Sequence, residues 1–373
     1  MAEVRELVTR TVREVLNSIH EGVYITDRSR NIVFWNRGAE KITGHSAGDV
    51  IDSRCQDEIL RHVDKDGRPL CTTELCPLHR TMTTDRPATS HILYALTSSG
   101  ERVPVSVSTS PVHNEDGDVV GGIEIFRDEQ ESMKEMKLAR AVQEQMQPGD
   151  LPGDDRVSFA VEAAASEMVG GDYYHAADLG GGTFAFFLAD IIGHGVSAAL
   201  YMSLMHSLVR ECRGLMADPA SFMSALNERI CERLPEIGFV TAVAGKIDSH
   251  SGDVVTCSAG HPPLMHQHGD GDEIEMIQHD NFPLGVPEAE GYELGELTLS
   301  PGERLLAYTD GAIETSVEDG KLLGREGLAS LFREYPPRDG NHRLGRVYRA
   351  IVQRCANHMP EDDITLLSCL KEK

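Results

Sequence analysis

A chain of 373 residues exceeds what one ordinary hydrophobic core fills, so two domains are expected. Hydrophobic residues make up 40% and charged residues 25%, an ordinary globular composition that excludes wholesale disorder and fibrous repeats. Sixty acidic against 35 basic residues give a formal net charge of -25, which repels nucleic-acid phosphates and anionic lipid and argues against DNA or membrane-surface binding.

No window approaches 18 consecutive apolar residues, and the opening MAEVRELVTRTVREVL is charged and periodic, unlike a signal sequence. A cytoplasmic protein is expected. The eight cysteines stand mostly alone in apolar runs, which in a reducing compartment reads as buried thiols.

Residues 3–19 place Val4, Leu7, Val8, Val12, Val15 and Leu16 at steps of three and four, the pattern of an amphipathic helix, and residues 1–14 are set apart as an N-terminal helical element. GVYITD and IVFWN around a polar SRN turn predict a hairpin. Helices and loops follow to about residue 88. SHILYALTSSGERVPVSVSTSPVHNEDGDVVGGIEIFRD then predicts three strands, parted by SSGER and NEDGD. Within the helical stretch lie Cys55, Cys71 and Cys76, with His62 and His79 nearby. Three soft ligands and an imidazole could hold Zn²⁺ or an iron–sulfur cluster. The spacing fits no standard zinc template, and buried or redox-responsive thiols are the other reading.

DEQESMKEMKLARAVQEQMQ (128–147) is rich in helix formers without Gly or Pro. Met133, Met136, Leu138 or Ala139, and Val142 fall near heptad spacing, which suits a parallel dimerising helix; a polar spacer is the alternative. PGDLPGDD (148–155) marks the boundary of a second domain. From residue 156 the predicted strands are VSFAVEAAAS, TFAFFLAD, FVTAVAGKID, DVVTCSAG, ERLLAYTD and DDITLLSCL. The predicted helices are AALYMSLMHSLVRECRGLM, residues 219–234 and VYRAIVQRCANHM.

Carboxylates recur at the ends of these apolar runs. Asp190 closes FFLAD, Asp310 closes LLAYTD, Asp362 and Asp363 open ITLLSCL, and Asp172 follows a Gly pair in VGGDYYH. Asp before Gly is also a common turn signal, so the weight lies on the set of four. Hard cations such as Mg²⁺ and Mn²⁺ prefer oxygen ligands and keep part of their water shell, which a few Asp side chains on rigid strand ends provide.

Two resemblances organise these features. "EGVYITDRSRNIVFWNRGAEKITGHSAGDVI" (21–51) and "SGERVPVSVSTSPVHNEDGDVVGGIEIFRD" (99–128) resemble a PAS sensory domain, assigned to residues 15–127. That resemblance implies an antiparallel sheet closed by helices around a ligand, without saying which ligand. "MVGGDYYH", "LADIIGHGVSAAL", "FVTAVAGKID", "SAGHPPLM", "FPLGV", "LLAYTDGAIET" and "EDDITLL" resemble the PPM family, also called protein phosphatase 2C, in its bacterial SpoIIE/RsbU-type branch. This second resemblance covers about residues 140–370 and includes the approach helix "ARAVQEQMQPGDLP". The expected fold class is α+β: a PAS domain, a connecting helix over 128–148, and an αββα sandwich over 149–373 with metals at one end.

By motif, the resemblance implies that Asp190 bridges two Mn²⁺ or Mg²⁺ ions. Asp310 and Asp362 hold the first ion, and Asp172 and the backbone carbonyl of Ile191 serve the second. Asp363, Gly193, His194 and Gly311 support this shell, with a general-acid role for His194 the alternative, and activated water attacks the substrate phosphorus in line. Thr241 and His261 are assigned to structure. The sequence departs from the branch at His175, where Asp is usual, and the word around His194 is two residues longer than the eukaryotic Asp-Gly-His.

RsbU-like enzymes act on phosphorylated Ser or Thr of STAS-domain anti-anti-sigma proteins in partner-switching circuits. The expected function is therefore a signal-regulated phosphatase, homodimeric through the connecting and N-terminal helices. A non-catalytic scaffold is the alternative. A histidine kinase would need a nucleotide-binding Gly-rich lid and a phosphoacceptor helix, and neither is found.

Overall fold

A computed structural model of the chain describes residues 2–372 except 58, 66, 72, 167, 192–195, 234–237, 270–272, 290, 318–319, 339–340 and 356–359. The chain divides into two compact units, Met1–Glu135 and Met136–Lys373.

The first unit opens with helix α1 (Ala2–Ser18), followed by the predicted hairpin of β1 (Gly22–Asp27) and β2 (Ile32–Trp35). Helices α2 (Arg37–Thr43), α3 (Ala47–Val50) and α4 (Pro77–Thr84) precede β3 (Ala88–Leu96), β4 (Arg102–His113) and β5 (Val119–Asp128). The five strands form one antiparallel sheet in the order β2-β1-β5-β4-β3. Alternation puts Tyr24, Trp35, Val105, Val107 and Phe126 on the face covered by Leu78 of α4. Asn36 ties the unit's start together. Its Oδ1 accepts from Ala39 N and Val23 N, both at 2.8 Å, capping α2. Its Nδ2 donates to Leu16 O and Glu21 O, which fixes the end of α1. On α1 itself Leu7, Val12 and Val15 are exposed.

Helix α5 (Gln130–Met146) runs across the division between the units. The second unit then continues through β6 (Val157–Ala164), β7 (Asp172–Gly180), β8 (Thr183–Ile191), α6 (Val196–Cys212), α7 (Pro219–Arg233), β9 (Val240–Asp248) and β10 (Asp253–Ala259). Short strands β11 (Leu264–Gln267), β12 (Ile274–Ile277) and β13 (Gly295–Thr298) precede β14 (Arg304–Tyr308), α8 (Gly311–Glu314), α9 (Gly324–Glu334), α10 (Leu344–Arg354) and β15 (Ile364–Lys371). Two antiparallel sheets result, β13-β10-β9-β8-β7 and β12-β11-β14-β15-β6.

β8, β14 and β15 are buried along nearly their whole length, so both faces of each sheet are covered. Phe184, Phe186, Val243, Leu305 and Leu367 meet between the sheets. Tyr173, Phe187, Met205 and Phe222 join the first sheet to α6 and α7. Leu306, Leu328, Phe332, Val347 and Leu366 join the second to α9 and α10. The layers are helix, sheet, sheet, helix, as expected.

Arg304 is fully buried at the start of β14, and among the described residues no carboxylate pairs with it. Its guanidinium donates to Gln267 Oε1, His342 O, Phe332 O and Tyr335 O and lies 3.5 Å over the Phe332 ring. Carbonyls at the negative end of α9 thus take the place of an anion.

Candidate metal centre and sensor core

β7 and β8 pair with Asp172 directly opposite Asp190. On the second sheet, Tyr308 at the end of β14 pairs with Leu366 near the start of β15, so Thr309–Asp310 and Asp362–Asp363 emerge side by side. Thr309 joins the sheets: its hydroxyl donates to Asp172 Oδ2 at 2.9 Å and accepts from Thr365 N at 2.9 Å. Asp363 grips the turn leading into β7. Its Oδ1 accepts from Ser166 N and Oγ at 2.7 and 3.0 Å, and its Oδ2 from Gly171 N at 2.6 Å. Only glycine fits here, since a Cβ at Gly170 would stand 2.6 Å from Asp363 Oδ2 and one at Gly311 2.1 Å from Asp363 O.

The electrostatics follow from crowding of like charges. Burial, then Asp310, Asp362, Asp363 and Glu314, push the Asp190 carboxyl up to about 7. Burial and Asp190 raise Asp172 well above the usual carboxylate range, against the pull of the Thr365 and Thr309 hydroxyls. Asp310 is raised by burial, Asp362 and Glu314. An oxygen-only donor set with this much uncompensated negative charge fits hard divalent cations.

The structure thus brings Asp172, Asp190, Asp310 and Asp362 to one end of the sandwich, with buried Ile191 closing β8. Among the described residues, however, the set of ligand atoms lying within 4.8 Å of one another is His266, His268 and Glu303, not these aspartates. Gly193 and His194 lie outside the described residues. His175 alternates with Asp172 onto the other face of β7, where burial and then Arg213, His206 and Arg210 lower it to about 4. It therefore does not stand in for the family's usual Asp beside the carboxylates. Thr241, the register partner of Asp190, meets Nδ1 of buried His261 at 3.0 Å.

Three contributors were not read from the sequence. Thr309 and Glu314 sit inside a quoted word, on either side of Asp310, and α8 returns Glu314 one turn later with its N–H on Asp310 O. The third is Gln143 of α5. Its buried amide donates to Gly170 O at 2.6 Å and lies 2.7 Å from Met202 Sδ, and Gly170 N points at its Oε1 at 3.4 Å. Leu138 and Val142, expected in an apolar seam, are exposed, whereas Gln143 and Met146 face inward.

In the first unit Cys55, Cys71 and Cys76 are all buried. His62 N donates to Cys71 Sγ at 3.1 Å. The Cys71–Cys76 hydrogen bond raises Cys71 and lowers Cys76, and burial followed by Glu124 pushes Cys55 up to about 12. Glu124 is 1% exposed, yet neither carboxyl oxygen has a hydrogen-bond partner among the described residues. His62 Nε2 stands 3.8 Å from Oε1 and, among the described residues, is itself without a hydrogen-bond partner, as is Thr26 Oγ1.

Comparison with known proteins agrees with both units. Residues 180–370 match the family model described as Stage II sporulation protein E (SpoIIE), and residues 16–133 match a PAS fold model. The first match spans more than half of the chain, which belongs to the SpoIIE family and carries a PAS domain. Phosphoserine phosphatase RsbU of Bacillus subtilis is 22% identical over 239 residues, covering 64% of this chain and 70% of RsbU. Phosphoserine phosphatase RsbP of the same organism is 25% identical, covering 48% of this chain and 45% of RsbP. Among solved structures, the SiaA-PP2C domain of Pseudomonas aeruginosa aligns with a TM-score of 0.58 at 20% identity, over 66% of this chain and 98% of that one. The RsbU and RsbW domains of a Mycobacterium tuberculosis protein align with a TM-score of 0.54 at 24% identity, over 61% and 63%. The fold is that of PP2C domains.

Proposed function

We propose that this chain is a metal-dependent protein serine/threonine phosphatase under the control of its PAS domain, acting on a phosphorylated STAS-domain protein in a partner-switching pathway. The observation that carries the reading is the pairing of Asp172 with Asp190 across β7 and β8, with Asp310 and Asp362 close enough to raise Asp190 to about 7. Asp190 would hold two Mn²⁺ or Mg²⁺ ions. Asp310 and Asp362 would complete one shell, and Asp172 and the Ile191 carbonyl the other. When bound, such ions supply an activated water and neutralise phosphoryl oxygens. The chain's own part is positional. Thr309 orients Asp172, Asp363 holds the 166–171 turn, and Glu314 adds to the negative field that attracts the cations. The names of the RsbU and RsbP relatives support the phosphatase reading, and the RsbU resemblance supports the substrate class.

Regulation would enter through Gln143, because a helix that moves this amide also moves the Gly170 carbonyl, two residues before Asp172. Residues 15–127 would form the sensor, 128–148 the connecting helix and 149–373 the catalytic domain, preceded by the helical element 1–14. Exposed Leu7, Val12 and Val15 of α1 and Leu138 and Val142 of α5 suit burial against a second copy, giving a homodimer. Among the described residues no helix is long and apolar enough to cross a membrane, and we place the protein in the cytoplasm. The signal would act at Cys55, Cys71 and Cys76 as buried, redox-responsive thiols, a metal or iron–sulfur cluster beside Glu124 and His62 being the second reading.

Hydrolysis of p-nitrophenyl phosphate and of a phosphorylated STAS protein, with and without Mn²⁺, tests the catalytic reading. Asp190→Asn should lower the rate at least about a thousandfold with the fold intact. Equal rates would leave a scaffold role instead. Iron, zinc and sulfide analysis of anaerobically purified protein tests the sensor, and a colourless, metal-free preparation rules out the cluster.

A further inference from the structure

His266, His268 and Glu303 each bring one ligand atom within 4.8 Å of the others, and the strand geometry explains why. His266 and His268 are two residues apart, so an extended strand turns both to one face. β11 pairs with β12 so that Glu275 lies opposite His266. It pairs with β14 so that Gln267 faces Arg304, which brings Glu303 opposite His268. Three strands therefore deliver four side chains to the same face. Glu303 precedes β14 and Asp310 follows it, which separates this cluster from the aspartates by roughly 23 Å of extended chain.

Within the cluster, His266 Nε2 is 3.1 Å from Glu303 Oε2 and His268 Nδ1 is 3.7 Å from Glu303 Oε1. The other nitrogen of His268, Nε2, is 3.2 Å from Glu275 Oε2. Ser300 N and Gly269 N donate to Glu303 and fix its carboxylate. His266 is 3% exposed, so its ring is held in place by the strands around it. Hydrogen bonding between His266 and Glu303 accounts for that pair alone. His268 turns one nitrogen to the same carboxylate while a second carboxylate meets the other, the arrangement in which a metal-ligating histidine is oriented from behind.

We infer that His266 Nε2, His268 Nδ1 and Glu303 form a binding site for one divalent transition ion, with Zn²⁺ the best match, and that Glu275 orients His268. Two imidazoles and a carboxylate with a fourth position left to water are a zinc donor set, whereas an aspartate-only set favours Mg²⁺ and Mn²⁺. The two ends of the sandwich would thus sort cations by ligand softness. The zinc ion would clamp the β11–β12 hairpin onto β14.

The test uses the full chain, stripped with chelator, reloaded with Zn²⁺ in excess Mg²⁺, desalted and assayed for zinc by mass spectrometry. Wild type should retain one zinc equivalent per chain more than His268→Ala, and zinc should raise the thermal midpoint of wild type more than that of the variant. Comparing the two proteins cancels any zinc taken by Cys55, Cys71 and Cys76. The His268 side chain is 34% exposed, so its loss should leave the fold intact. Glu275→Gln should weaken zinc binding about tenfold. Equal zinc content in wild type and His268→Ala overturns the site, and unchanged affinity in Glu275→Gln overturns the orienting role. Phosphatase activity in Mg²⁺ should be the same in His268→Ala and wild type, so this result stands apart from the catalytic reading.

Discussion

Asp172 and Asp363 in the C-terminal unit and Glu124 in the N-terminal unit are all buried carboxyl groups, but their surroundings differ in kind. Asp363 accepts three hydrogen bonds from Ser166 and Gly171, and Asp172 receives the Thr309 hydroxyl. Arg304, the fully buried cation of the same unit, is likewise met on every side by acceptors. Glu124 faces His62 and three thiols, and neither oxygen has a well-formed hydrogen bond among the described residues, although the nearby Tyr24 hydroxyl partly offsets the burial of its charge. The protein itself satisfies the first set, so that set fixes geometry. The second costs stability as it stands, because a buried carboxyl without well-formed hydrogen bonds keeps its desolvation cost uncompensated.

Removing a satisfied charge should do the most damage. Arg304→Ala leaves the carbonyls of Phe332, Tyr335 and His342 without their donor and should cost about 3–5 kcal/mol in denaturant unfolding. A loss under about 1 kcal/mol would mean that the guanidinium network contributes little. Thr309→Val removes a donor to Asp172 and an acceptor for Thr365 N, and should cost about 1–3 kcal/mol. It should also weaken Mn²⁺ activation of the phosphatase roughly tenfold or more, while Thr309→Ser should behave as wild type. Metal titrations of the three proteins check this.

Glu124→Gln should have the opposite sign. Burial raises this carboxyl well above its ordinary range, so the folded domain keeps its proton to higher pH than the unfolded chain does. The resulting stability is complete at low pH and is lost as pH rises above the usual carboxyl value. The glutamine variant, which cannot ionise, should therefore gain on metal-free wild type by on the order of 1–2 kcal/mol near neutral pH and little near pH 4. Thermal melts across that range would break the comparison between the units if the gain were absent or independent of pH.

Much of the fold was legible in the sequence because its strongest strands are long apolar runs ending in Asp. TFAFFLAD, ERLLAYTD and ITLLSCL announce both their burial and the carboxylates at their ends. β7 was harder to read, since DYYHAADLG mixes Ala and charge and gains its place by pairing with β8. β11, β12 and β13 are four residues each, too short for periodicity to register. The side of β7 taken by His175 and the bridge from Thr309 to Asp172 both depend on which strands pair and in what register. Gln143 looked like one more solvated polar residue in a charged helix. Its burial makes sense only once the Gly170 carbonyl is beside it.

β14 concentrates these dependencies in a single short strand. Counting the residues at its two ends, it carries Glu303 of the imidazole cluster, the Arg304 anchor, the Thr309 bridge and Asp310. Their order along the chain is also their order through the sandwich. A one-residue deletion between Leu305 and Ala307 would therefore do more than shorten a strand. It would invert the facing of everything on one side of the cut, so that keeping Arg304 in its bed of carbonyls and keeping Thr309 under Asp172 become mutually exclusive.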